Sequence, residues 1–166
     1  MYHKISDFLE DWKYESGATM KILDSLTDKS LGQKVSKEGR TLGYLAWHLA
    51  VTIGEMADKA GLKVKAPAED SDSPASASKI KEEYKMAFKS LESEVKAKWK
   101  DGMLNDEINM YGEPWRRGMV LDSLIRHQIH HRGQMTVLMR QAGLKVPGVY
   151  GPSREEWKQL GMPEMK

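Results

Sequence analysis

Proline places the strongest constraint on how this chain can fold. Its six prolines stand at 67, 74, 114, 147, 152 and 163, and a proline inside a helix removes a hydrogen bond and clashes with the preceding turn. The proline-free windows between them are therefore where helices can run. In the first window Ile5, Phe8, Leu9, Trp12, Thr19, Ile22, Leu23 and Leu26 recur every three or four residues, predicting a helix from about Ser6 to Thr27. Residues 28–39 mix Lys, Ser and Gly without a period. Thr41 then offers an N-cap for a second helix carried by Leu42, Leu45, Leu49, Ile53 and Met56, which Gly61 closes.

Residues 63–78, rich in Ala, Ser, Asp and Pro, read as a long flexible connection with room for a crossover. A third stripe, Ile80, Tyr84, Ala87, Phe88, Leu91, Val95 and Trp99, ends at Gly102. Leu104, Ile108 and Met110 alternate briefly before Tyr111-Gly-Glu-Pro114, which predicts a small hairpin. The fourth run has Val120, Leu124, His127, Gln128, His131, Met135, Leu138 and Ala142 on one side, with Gly143 as its stop. Ser153-Arg-Glu-Glu156 is a capping-box pattern ahead of Trp157 and Leu160, predicting a short terminal helix.

Four amphipathic helices must bury their stripes against one another. The expected fold is all-α, a four-helix bundle with a long crossover between helices 2 and 3, in one domain over residues 1–166. The 26 Lys and Arg against 24 Asp and Glu, a net charge of +2, leave no nucleic-acid footprint. The longest uncharged stretch, Thr41 to Gly54, is too short to span a membrane, and the amino terminus lacks the apolar core of a signal peptide. A cytoplasmic protein is expected. With no cysteine, disulfides, thiolate metal sites and thiolate nucleophiles are excluded, so any metal must be held by His or carboxylates.

Histidines stand at 3, 48, 127, 130 and 131. His127 and His131, four apart, project from the apolar strip of the fourth helix, whereas His130 is rotated away and His3 lies near the terminus. Two imidazoles aimed into a core need partners for their ring nitrogens, and a shared metal ion would satisfy both. The remaining histidine inside an apolar helix, His48, sits at the border of the second stripe, where it can point across the bundle. Three neutral imidazoles would leave coordination positions open, as in catalytic sites. The plainer reading is that each is a hydrogen-bonded core histidine. The zincin signature fails because Gln128 stands where a Glu is needed, and the Glu-x-x-His of di-iron bundles is absent. A haem site using His and some of the 11 Met has less support than Met as core filling.

Three segments, Leu45-Ala-Trp-His-Leu49, His127-Gln-Ile-His-His-Arg-Gly-Gln-Met135 and Leu144-Lys-Val-Pro-Gly-Val-Tyr-Gly-Pro-Ser-Arg-Glu-Glu-Trp157, resemble the DinB-like (DinB/YfiT) family of bacterial four-helix metalloproteins. The resemblance implies His48, His127 and His131 as ligands of one divalent ion, zinc or nickel, and a homodimer. Relatives include S-transferases that use small thiols such as bacillithiol and mycothiol-dependent isomerases. It thus implies a metal-dependent S-transferase acting on a small electrophile with a low-molecular-weight thiol cosubstrate. A metal-dependent hydrolase and a non-catalytic, metal-braced dimeric stress or interaction protein are the alternatives. Tyr44, Trp47 and Trp115 are candidates to line a substrate pocket, and Glu55, Asp122 and Glu113 to accept hydrogen bonds from the ligand imidazoles. Arg132 is expected at the surface or in an interface ion pair, and Gly133 where another helix packs closely.

Overall fold

In the computed structural model, residues 1–163 are described. Helices α1 (Ile5–Asp24), α2 (Leu42–Lys59), α3 (Ala77–Lys98) and α4 (Arg117–Gln141) form the bundle, and a two-stranded hairpin, β1 (Glu107–Met110) and β2 (Glu113–Arg116), precedes α4. Both α1 and α2 pack against α3 and α4, so the order around the bundle is α1, α3, α2, α4. The apolar stripes meet at its centre, where Phe8, Trp12, Ile22, Leu49, Ile53, Ile80, Tyr84 and Met135 are fully buried. This is the expected all-α four-helix architecture.

The segment between α1 and α2 carries structure that its lack of period concealed. Thr27 and Ser30 cap each other reciprocally over a 3-10 turn, Asp28–Gly32, that buries Leu31. Thr41 caps α2 as expected by accepting from the Tyr44 N–H at 3.0 Å. The crossover is long, but it is tied down rather than loose. The backbone N–H groups of Lys63 and Lys65 donate to Glu94 (3.0 Å) and Ser90 (2.8 Å) on α3, while Trp47 of α2 donates its indole N–H to the Ser71 carbonyl at 3.0 Å. A Cβ on Gly54 would fall 2.6 Å from the Ala66 Cβ, so α2 meets the crossover where it has no side chain.

The hairpin turns through Tyr111 (φ 58°) and Gly112 (φ 88°), the two left-handed positions of a type I′ loop. The terminal helix shrinks to a single 3-10 turn, Lys158–Leu160. Half of its capping box forms: Glu156 accepts from the Ser153 N–H at 2.9 Å, while the Ser153 hydroxyl has no partner. Among the described residues no helix is long and apolar enough to cross a membrane.

Candidate metal centre

His48 comes from the middle of α2; His127 and His131 come from successive turns of α4. Because α2 and α4 are neighbours, the three rings converge, with centroids 4.4–4.9 Å apart, and one ring nitrogen from each lies within 4.8 Å of the others. The Nε2 atoms of His48 and His127 are 3.1 Å apart, close to the roughly 3.4 Å that separates two imidazole ligands on a tetrahedral ion bound at about 2.0–2.1 Å. The cluster could hold a metal ion. Among the described residues no carboxylate joins it.

Electrostatics favour the neutral, ligating form of each ring. Burial above all, with the neighbouring imidazoles and Arg40 adding to it, pulls His48 down to about 4 and His127 to about 3. His131 is lowered too, chiefly by burial. The outer nitrogens determine which atom faces inward. His131 Nδ1 donates to the Gln134 side-chain oxygen at 2.7 Å, which leaves Nε2 with its lone pair. His48 Nδ1 lies 3.5 Å from the Thr52 hydroxyl, so its Nε2 faces His127. Two lone-pair nitrogens at that separation repel unless a cation or a shared proton lies between them.

Orientation of His48 and His131 thus falls to Thr52 and Gln134, not to the carboxylates expected from the sequence, and the buried Nδ1 of His127 has no hydrogen-bond partner. Glu55 pairs with Lys59, Asp122 with Arg126 and the amino terminus, and Glu113 accepts from Trp115. Of the candidate pocket aromatics, Tyr44 and Trp47 flank His48 and line a cavity of about 110 Å³ with Val51, Glu69 and Asp72; the Tyr44 ring stacks on His48 at 5.8 Å. Trp115 lies in the hairpin against Tyr111 and does not line it. His130 is exposed, its ring edge-on to His131 at 4.9 Å, and stays outside the cluster.

Gln128, between the two α4 histidines, is fully buried. Its oxygen accepts from Tyr84 of α3 (3.0 Å) and Thr19 of α1 (3.3 Å), and its nitrogen donates to the carbonyl of Leu49, the residue after His48, at 3.3 Å. This one amide therefore links α4 to the other three helices and sets the level of the α4 histidines against His48.

Arg132 is not at the surface. It is 2% exposed and donates to the Glu15 carboxylate, the Glu15 carbonyl, the Thr19 hydroxyl and the Tyr150 hydroxyl. A charge is tolerated there because Glu15 compensates it and every neighbour hydrogen-bonds. Tyr150 in turn donates to Glu15 at 2.7 Å. Gly133 also departs from expectation: it is exposed, and a Cβ there would meet nothing.

The DinB family model matches residues 1–165. The chain belongs to the DinB family. It is 46% identical over 162 residues to the uncharacterized protein YrdA of Bacillus subtilis (strain 168), an alignment covering 98% of this chain and 97% of that protein. A crystal structure of a DinB-like protein from Bacillus cereus ATCC 10987 superposes with a TM-score of 0.87 at 43% identity, covering 90% of this chain and all of that one. A second DinB-like structure, YjoA of Bacillus subtilis, shares the fold with a TM-score of 0.68 at 14% identity, covering 89% of this chain and 99% of that one. The resemblance carried by the histidine segments is thus membership of the DinB family along nearly the whole chain.

Proposed function

We propose that this DinB-family protein is a divalent-metal-dependent enzyme that transfers a small thiol to an electrophilic carbon, with His48, His127 and His131 as ligands of zinc or nickel. The observation that carries the reading is the convergence of three imidazoles kept neutral by burial, one ring nitrogen of each within 4.8 Å of the others, with no carboxylate among the described residues completing the set. A divalent ion held by three ligands keeps a position open, where it lowers the pKa of a thiol.

The chain has no cysteine, so the sulfur comes from a cosubstrate. In the transfer, the deprotonated sulfur forms a C–S bond as the bond from carbon to halide breaks, and the thiol proton passes to solvent. The chain's own groups position the partners. Gln134 holds the His131 ring and Thr52 the His48 ring, and Tyr44 and Trp47 wall one flank. Half-buried His48 keeps the cluster within reach of solvent.

The test compares metal content by mass spectrometry, and turnover of a chlorodinitroarene with a small thiol, in wild type, His48→Ala and His127→Ala. About one equivalent of metal and thiol-dependent turnover in wild type, both lost in the variants, are expected. Turnover unchanged in His127→Ala refutes the enzyme reading. Stoichiometric metal without turnover of any thiol and electrophile pair leaves the ion a brace.

A further inference from the structure

A groove of about 320 Å³ is lined by Val35, Arg40, Leu45, Gln134, Val137 and Leu138, and by none of the three histidines. Two features connect it to the cluster. Gln134 is the hydrogen-bond partner of His131. The Arg40 guanidinium lies 4.9 Å from the centre of the Tyr44 ring, which itself stacks on His48.

The groove side of the cluster is basic, while the carboxylates lie on the other side of His48. None of the ion pairs among the described residues uses Arg40, and its charge reaches all three imidazoles. Neutral ligands do not offset the charge of a divalent ion, so a loaded centre beside an unpaired guanidinium favours anions from its surroundings. The groove supplies no carboxylate of its own; Glu69 and Asp72 line the cavity on the other flank of His48, and Glu69 faces Lys59. The rest of the lining is mostly apolar, and Val35 and Val137 stand exposed beside it at 68% and 52%. A guanidinium above apolar walls suits a small molecule with an anionic head and a short hydrocarbon body.

We infer that the groove of Val35, Arg40, Leu45, Val137 and Leu138 is the subsite for a carboxylate- or sulfonate-bearing apolar substrate, with Arg40 selecting its anionic head. The inference rests on the proposed function for the chemistry done at the histidines. Arg40 is a specificity residue, and no role in holding the metal falls to it.

Zinc-loaded, isotope-labelled protein is titrated with hexanesulfonate, hexanol and hexylammonium while the methyl signals of Val35, Leu45, Val137 and Leu138 are followed by NMR. Sulfonate is used because it is a weak metal ligand. Hexanesulfonate is expected to bind at least about tenfold more tightly than hexanol, with hexylammonium weakest, because charge-assisted hydrogen bonds to a guanidinium are strong. Arg40→Gln is expected to bring hexanesulfonate down to the level of hexanol, with hexanol binding and zinc stoichiometry unchanged. Equal affinities for the three probes, or sulfonate binding indifferent to Arg40→Gln, overturn the inference. So do hexylammonium shifts centred on Trp47 and Val51, which would move recognition to the acidic flank. Groove signals that respond to protein concentration but not to hexanesulfonate would make the groove a contact between two copies and overturn it as well. Arg40-dependent sulfonate binding in protein that takes up no zinc would sustain the subsite while the metal reading fails.

Discussion

At the scale of single residues, the histidine cluster depends on an uncharged neighbour. Gln128 satisfies two hydroxyls and a carbonyl where water does not reach, and orphaning buried polar groups costs roughly 1–3 kcal/mol each. Gln128→Leu is therefore expected to lower stability by about 3 kcal/mol in urea unfolding. Because Leu49 follows His48, zinc affinity should also fall by at least about tenfold. Tyr84→Phe removes one bond to the same amide without touching α2, and should cost about 1 kcal/mol while leaving zinc affinity intact. The imidazoles set a pH dependence. In the folded, metal-free protein His48 and His127 protonate only near about 4 and about 3, whereas in the unfolded chain they do so near about 6.5. Between those values the unfolded state binds more protons, so stability falls as pH drops from 7 towards 4. Urea midpoints of metal-free protein at pH 7.5 and pH 5 check the sign, and His127→Gln should flatten the slope.

At the scale of elements, two contacts decide how the irregular segments lie on the bundle. The first is the clamp of Arg132 on Glu15 and Tyr150, which ties α4 to α1 and to the chain beyond α4. Tyr14 extends it by donating to the Val149 carbonyl at 2.7 Å and stacking on Tyr150 at 6.1 Å. Arg132→Met leaves the Glu15 carboxylate buried without its partner, an expected loss of about 3–5 kcal/mol; Glu15→Leu in the same chain should restore much of it, giving a double-mutant cycle that is strongly non-additive. The second is the seat of the crossover on Gly54. Gly54→Leu must displace Ala66 and should cost about 1–3 kcal/mol by thermal unfolding. Arg132 shows why this level was hard to read. It shares the inward side of α4 with Gln128 and Met135, but a charged residue in an amphipathic pattern is ordinarily assigned to solvent, and the partner that reverses this, Glu15, is on a different helix.

At the scale of the molecule, metal and fold are coupled, because a site built from two helices exists only when they are packed. With free metal at about a hundred times its Kd, the ion should add about 2.7 kcal/mol of stability. Chelation is thus expected to lower the melting temperature of wild type, and to leave that of His48→Ala unchanged. The family resemblance implies a homodimer, for which light scattering of loaded and chelated protein should give twice the chain mass. Much of this architecture was legible in one dimension. Apolar spacing, proline-free windows, the cap at Thr41, the stops at Gly61 and Gly143 and the hairpin at Tyr111-Gly112 are governed by contacts within a few residues, and the spacing of His127 and His131 on one helix face is of that kind. The sequence by itself therefore determined four helices, the cap of α2, the stops of α2 and α4, the hairpin and an inward histidine pair. The His48–Thr52 and His131–Gln134 contacts lie within single helices, but that His48 Nε2 meets His127 Nε2 at 3.1 Å and that Arg132 lies buried were decided by tertiary structure. Each depends on α2 and α1 both flanking α4, and that neighbourhood arises from burying all four stripes together, which no local period encodes.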